Sequence, residues 1–90
     1  MLVIWDPQKA VSNQKKHGVS FEEAQSVLES DVQLVLEDSD HHEQRFIALG
    51  YSKKLNLLVV VYAYREMDVI RIISARKATR KERENYEKRI

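Results

Sequence analysis

Ninety residues, of which 43% are hydrophobic and 32% charged, indicate one folded domain with a modest core. The chain has no cysteine, which excludes disulfides and thiolate chemistry. No apolar run approaches the roughly 20 residues of a membrane span, so we expect a cytoplasmic protein.

The net charge of +1 is unevenly distributed, because residues 20–43 contain eight acidic side chains and no Lys or Arg. Residues 65–90 contain nine basic and five acidic side chains. This segregation is typical either of an anion-binding face opposite an acidic face or of solvated helix surfaces.

The first part of the chain predicts a short strand and two helices. Met1–Trp5 is an apolar strand, and Asp6-Pro7 fits the N-cap and first position of a helix over 7–17 that ends at Gly18. Ser20 followed by Glu23 is a capping box that opens a second helix over 21–29. The apolar side chains of this second helix recur at helical spacing, and we interpret them as core. They are Phe21, Ala24, Val27 and Leu28.

The second part predicts strands over 33–37, 44–51, 56–64 and 69–76, followed by a helix over 79–89. Every position from Leu57 to Tyr64 is apolar, which indicates a central strand covered on both faces. The turns at 52–55 and 65–68 are short, and short connections require antiparallel pairing. The order β-α-α-β-β-β-β-α therefore predicts an α+β domain, with one antiparallel sheet packed with helices.

Basic side chains gather where the last strand meets the last helix. The strand is rich in β-branched residues, and Thr79 can cap the helix that follows. Cations in the first turns of a helix oppose its macrodipole, so local stability does not explain them. We therefore predict the functional site at this junction. Its basic residues are Arg76, Lys77, Arg80, Lys81 and Arg83.

Lys16-His17 at the end of the first helix is a second candidate. An imidazole changes charge near neutrality and can move protons in catalysis, although a histidine here can also simply cap the last carbonyls. Asn13 and His17 share a helix face with Ala10, an unusual choice for a purely structural stripe.

Three further groups have simpler interpretations. The segment Asp38–Glu43 superficially resembles a metal site, but His41 and His42 point to opposite sides of an extended chain. We interpret it as a solvated loop and expect neither a metal nor a cofactor. Arg71, which has apolar neighbours, is interpreted as a structural arginine with a paired acid. Arg65 lies at the opposite end of the last hairpin from Arg76.

A set of motifs in chain order spans nearly the whole sequence. They are Trp5-Asp6-Pro7, Asn13, Lys16–Ala24 (KHGVSFEEA), Arg45-Phe46, Gly50, Arg71–Thr79 (RIISARKAT), Glu82-Arg83 and Tyr86. Together they resemble the BrnT family, the toxins of BrnT/BrnA type II toxin–antitoxin systems. Two positions depart from the family pattern: Ser30-Asp31 replaces an Asp-Pro after the second helix, and Gln44 replaces a glutamate. Both lie outside the basic junction.

The resemblance implies a RelE-like fold and a metal-independent RNA endonuclease that inhibits translation. It also implies a BrnA-type antitoxin that joins a ribbon-helix-helix DNA-binding module to a toxin-binding segment, so that contact with DNA is only indirect. Such an enzyme lets a 2′-hydroxyl attack the adjacent 3′-phosphate, which requires a base, an acid and cations on the phosphoryl oxygens.

We expect arginines to stabilise the phosphoryl charge, because their fork matches phosphate oxygens. The catalytic set expected is Lys16, His17, Arg65, Arg76 and Arg80, with Lys77 and Arg83 binding RNA. Within this set, Lys16 and His17 transfer protons. Two alternatives are a non-catalytic nucleic-acid or antitoxin-binding module and a degenerate toxin that retains only antitoxin binding. Neither alternative requires Lys16-His17 to occur together with the arginines.

Overall fold

The computed structural model describes residues 1–38 and 43–89. Its elements are β1 (Leu2–Ile4), α1 (Pro7–His17), α2 (Phe21–Leu28), β2 (Gln33–Asp38), β3 (Arg45–Tyr51), β4 (Leu57–Glu66), β5 (Val69–Lys77) and α3 (Arg80–Arg89). The α+β class and the order of the elements are therefore confirmed. None of the helices within these residues has the length and apolar character needed to cross a membrane.

All five strands form one sheet in the order β1-β5-β4-β3-β2, which makes β4 the central strand, as predicted. Strands β2 to β5 pair antiparallel with their neighbours. β1 pairs parallel with β5, from Leu2 opposite Val69 to Ile4 opposite Arg71, so the sheet is mixed, not wholly antiparallel. Parallel pairing is possible here because most of the chain separates the two strands.

The hairpin between β4 and β5 is tighter than predicted. Arg65 and Glu66 belong to β4, and the turn consists of Met67-Asp68 alone. The pairing register shifts between Tyr64 and Glu66 and between Val61 and Tyr62, which is typical of β-bulges. Arg65 is thus held on a strand, not in a turn.

The predicted helix caps are largely confirmed. Asp6 accepts a hydrogen bond from the Gln8 N–H at 2.8 Å, and Gly18 adopts a left-handed conformation with φ of 71°. Ser20 caps α2 by accepting from the Glu23 N–H at 3.0 Å. The capping box predicted there is incomplete, because the buried Glu23 carboxylate instead accepts hydrogen bonds from Ser52 (2.6 Å) and Asn56 (2.9 Å).

The two faces of the sheet differ. The first face, covered by α1 and α2, contains the main core, and Gly50 lets α2 approach β3 so closely that an added Cβ would lie 3.2 Å from Val27. On the second face, α3 covers one end through the buried Tyr86, whose ring centroid lies 5.6 Å from that of Tyr51. The rest of this face holds an open apolar cavity of about 260 Å³. It is lined by Leu34, Leu36, Ile47, Leu49, Val59, Arg76, Glu82, Asn85 and Arg89.

Candidate functional site

A bidentate ion pair fixes the junction of β5 and α3. Arg76 Nη1 and Nη2 lie 2.8 and 2.9 Å from Glu82 Oε1 and Oε2. Glu82 also completes a reciprocal capping box, because its carboxylate accepts from the Thr79 N–H at 2.8 Å and its own N–H donates to Thr79 Oγ1 at 3.2 Å. The fork of Arg76 is therefore occupied by Glu82 in the free protein, and the pair anchors the start of α3 to the sheet.

The hydrogen bonds from Arg76 lower the pKa of Glu82 to about 2, despite an opposing effect of burial, and the capping bonds of Thr79 act in the same direction. Because this pKa is lower than in the unfolded chain, the pair stabilises the fold above about pH 4.5, and the contribution is lost as the pH falls towards 2. Both side chains are about one third exposed, so we expect about 1 kcal/mol.

We therefore expect Glu82→Gln to lower the free energy of unfolding by about 1 kcal/mol at pH 7. Its deficit relative to wild type should shrink as the pH falls to 3, because the Glu82 carboxyl of the unfolded wild-type chain then takes up a proton while that of the folded protein stays ionised. Urea unfolding of both proteins across this range measures the difference. A deficit that stays constant between pH 7 and pH 3 would contradict the ion pair as its source.

The other basic residues of the junction are exposed. The Arg80 side chain is 93% exposed and has Glu84 at 3.6 Å. Lys77 is exposed at the end of β5, and Arg83 Nη1 donates to the Tyr51 hydroxyl at 3.0 Å. These cations are available to an anionic ligand, whereas Arg76 must first exchange its carboxylate partner.

Lys16 and His17 lie beside the C-terminal half of β5. With Ser74 and Ile73 they line a shallow cavity of about 230 Å³, whose other lining residues are Lys9, Ser12 and Asn13. Ser74 lies two residues before Arg76 on the same strand, which places both on the same face of the sheet. Lys16 and His17 thus lie at the edge of β5 beside Ser74, two residues before Arg76 along the strand.

Asn13 has a structural role, so the inference that its polarity is unusual for a structural stripe is wrong. It is buried, and its amide pairs with the edge of β5 beyond the end of β1. Nδ2 donates to the carbonyls of Ala75 (2.8 Å) and Val19 (3.0 Å), and Oδ1 accepts from the Ala75 N–H at 3.1 Å. The side chain extends the hydrogen bonding of the sheet and fixes α1 against β5.

Arg65 is separated from the other predicted catalytic residues. Val59 on β4 lies opposite Arg76, and Arg65 is six residues farther along β4. At about 3.3 Å per residue, the separation is roughly 20 Å. One phosphoryl group cannot contact both arginines.

Sequence reasoning missed the cluster to which Arg65 belongs. We call it the Glu43 cluster: Glu43 with Arg45, Arg65 and Arg71. Arg71 Nη2 lies 2.5 Å from Glu43 Oε1, and Arg45 Nε lies 3.6 Å from the same oxygen. The interpretation of Arg71 as an arginine with a paired acid is confirmed. The cluster becomes visible only with the strand register, which places Arg71 opposite Ala63 and Arg45 near them.

The loop considered as a metal site falls mainly on residues 39–42, which lie outside the described residues. In the part of the chain that the structure describes, no three His, Asp or Glu side chains are grouped as metal ligands. The expectation that no metal binds stays a prediction.

Comparison with known proteins identifies the family. A model of the family described as the ribonuclease toxin BrnT of type II toxin–antitoxin systems matches residues 5–82. The chain is also similar to the Brucella abortus ribonuclease toxin BrnT in its crystal structure at 1.1 Å resolution. The TM-score is 0.72 and the identity 26%, over 89% of this chain and 99% of that one. No curated protein sequence gave a significant match. The chain therefore belongs to the BrnT family of ribonuclease toxins of type II toxin–antitoxin systems.

Proposed function

We propose that this protein is a metal-independent RNA endonuclease that inhibits translation. The observation that carries the proposal is the group of cations around the C-terminal half of β5. Lys16 and His17 lie on one side of this segment, and Lys77 and Arg80 lie at its end. An RNA backbone that enters here meets a proton-transfer group and exposed phosphate ligands together.

The proposed reaction is attack of a 2′-hydroxyl on its own 3′-phosphate, with departure of the 5′-oxygen. His17, assisted by Lys16, transfers protons, and Arg80 stabilises the charge that develops on the phosphoryl oxygens. The guanidinium group of Arg76 stays hydrogen-bonded to Glu82 and contributes positive charge from beside the site. Lys77 and Arg83 bind flanking phosphates. Arg65 is too distant for the same phosphate, so we propose that it contacts RNA elsewhere.

We further propose that a BrnA-type antitoxin with a ribbon-helix-helix module neutralises the toxin and makes any contact with DNA. Membership of a type II toxin–antitoxin family supports this proposal, and the α+β fold is compatible with a RelE-like relationship. A non-catalytic RNA-binding module is the second candidate. The Arg76–Glu82 pair favours it, because a satisfied arginine is less available to a transition state.

Inducible expression in bacteria, with RNA integrity followed over time, separates these functions. We expect RNA cleavage and growth arrest, both relieved when the neighbouring reading frame for the antitoxin is expressed as well. Expression of Arg80→Ala at equal protein level is the matched control, since it leaves the fold and loses the proposed catalytic charge. Growth arrest with intact RNA would support the binding module instead.

The charge of the site predicts how purified protein responds to salt and chelators. Cleavage should fall steeply with added salt, because phosphate contacts by Lys and Arg release counterions. It should survive EDTA, because guanidinium groups and not a metal stabilise the phosphate. Loss of cleavage in EDTA that magnesium restores would contradict the mechanism and would point to the segment Asp38–Glu43 as a ligand set.

A further inference from the structure

The Glu43 cluster places several arginines in one small area of the second face. Ala63 lies opposite Arg71, and because Phe46 lies opposite Tyr62, Arg45 is adjacent to Ala63 on the other side. Ala63 is buried and has no side chain beyond Cβ, so the arginines from β3 and β5 extend over it. Arg65 lies two residues beyond Ala63 in the bulged end of β4, close enough for its charge to act on the Glu43 carboxylate.

This cluster has more donors than acceptors. Arg45 Nε and Arg71 Nε are both buried without a hydrogen-bond partner among the described residues. Buried donors in folded proteins are rarely left unpaired, so an unsatisfied pair at one place indicates a missing acceptor. One carboxylate, Glu43, lies at the centre of the arginines. Its hydrogen bond from Arg71, with the charges of Arg71, Arg45 and Arg65, keeps the pKa of Glu43 below its usual value despite burial.

We propose that Arg45, Arg65 and Arg71 form a second phosphate-binding site for RNA, at which the Glu43 carboxylate occupies the position of the phosphate in the free protein. The inference rests on the proposed function, because it takes RNA as the ligand. Guanidinium groups suit this role, because their donors match the oxygens of a phosphate as well as those of a carboxylate.

The spacing makes this site distinct from the one at the junction. Arg71 and Arg76 lie opposite Ala63 and Val59, which are four residues apart on β4, or about 13 Å in a strand, so the two sites hold different phosphates of one RNA chain. The apolar cavity on the second face reaches Arg76 on one side and Ile47, two residues from Arg45 on β3, on the other. A bound RNA would therefore cross the uncovered part of the second face, from the Glu43 cluster to the start of α3.

Two variants test the proposal with opposite expected signs. Glu43→Gln removes the internal competitor and its charge, so it should tighten RNA binding about fivefold. Arg65→Ala removes one phosphate ligand, so it should weaken binding about fivefold and reduce the slope of log K against log salt by about one. Arg65 is exposed, so this variant should fold normally. Lys53→Ala, in the exposed turn between β3 and β4, is the control.

Binding is measured by fluorescence anisotropy with a fully 2′-O-methylated RNA, which the proposed reaction cannot cleave. If the wild type binds this RNA but cleaves no natural RNA, the endonuclease proposal fails. The binding measurements still test the second phosphate site, because they do not depend on cleavage. Unchanged or weaker binding by Glu43→Gln would overturn the site. So would a normal affinity of Arg65→Ala for RNA combined with impaired antitoxin binding, because the cluster would then be a protein interface.

Discussion

Asn13→Ala should lower the free energy of unfolding by about 3 kcal/mol, the largest stability effect that we expect from one exchange. The substitution removes three hydrogen bonds and leaves the N–H and carbonyl of Ala75 and the carbonyl of Val19 buried without partners. Each such group costs about 1 kcal/mol or more. For a domain of this size, the melting temperature should fall by roughly 12–24 °C.

Urea unfolding and thermal melts measure this loss against Gln14→Ala, an exposed neighbour on the same helix that should change little. Asn13→Asp is a sharper variant, because its carboxylate can accept from the Ala75 N–H but cannot donate to the two carbonyls. It should be at least as destabilised at pH 7 and should recover partly when acid protonates it. An Asn13→Ala protein within 0.5 kcal/mol of wild type, about the scatter of neutral surface exchanges, would refute the role given to this amide.

Local signals account for the elements that the sequence predicts well. The N-cap Asp6, the left-handed Gly18 and the short turns act on neighbouring residues, so their effect can be inferred without the fold. The apolar run of β4 similarly identifies the centre of the sheet. The parallel pairing of β1 could not be inferred in this way, because no turn connects it to β5. The role of the Glu23 carboxylate differs from the predicted capping box for the same reason, since its partners Ser52 and Asn56 are about 30 residues away in the chain.

The same distinction between local signals and long-range contacts applies to the candidate site. Cations at the start of α3 are visible in the sequence, because they oppose the helix dipole without local compensation. The Arg76–Glu82 pair depends on how the chain turns between β5 and α3, which a residue spacing does not determine. The Glu43 cluster requires the register of three strands, so the sequence groups Arg65 with distant arginines and gives Arg45 only as part of a family motif, not as a site residue. The sequence could not reveal contacts between side chains that are distant in the chain and become neighbours only in the folded protein.

Arg80→Ala should reduce the single-turnover rate of RNA cleavage by about 10²-fold, the largest effect on activity that we expect. This is typical of removing one donor that stabilises charge in a transition state. The stability of the protein should hardly change, because the side chain is 93% exposed and its ion pair with Glu84 lies on the helix surface. Quenched-flow or gel-based cleavage at saturating RNA, with the dissociation constant measured separately, distinguishes catalysis from binding.

Arg80→Lys retains the charge but loses the bidentate fork, so it should restore the rate only in part. Lys53→Ala, in a turn away from the junction, should cleave at the wild-type rate. If Arg80→Ala cleaves normally at saturating RNA and only its dissociation constant rises, Arg80 is a binding residue. The same outcome at Arg76 would make the whole junction a docking surface, because no arginine there would then act on the transition state. The chemistry would in that case depend on Lys16 and His17, the remaining candidates beside β5.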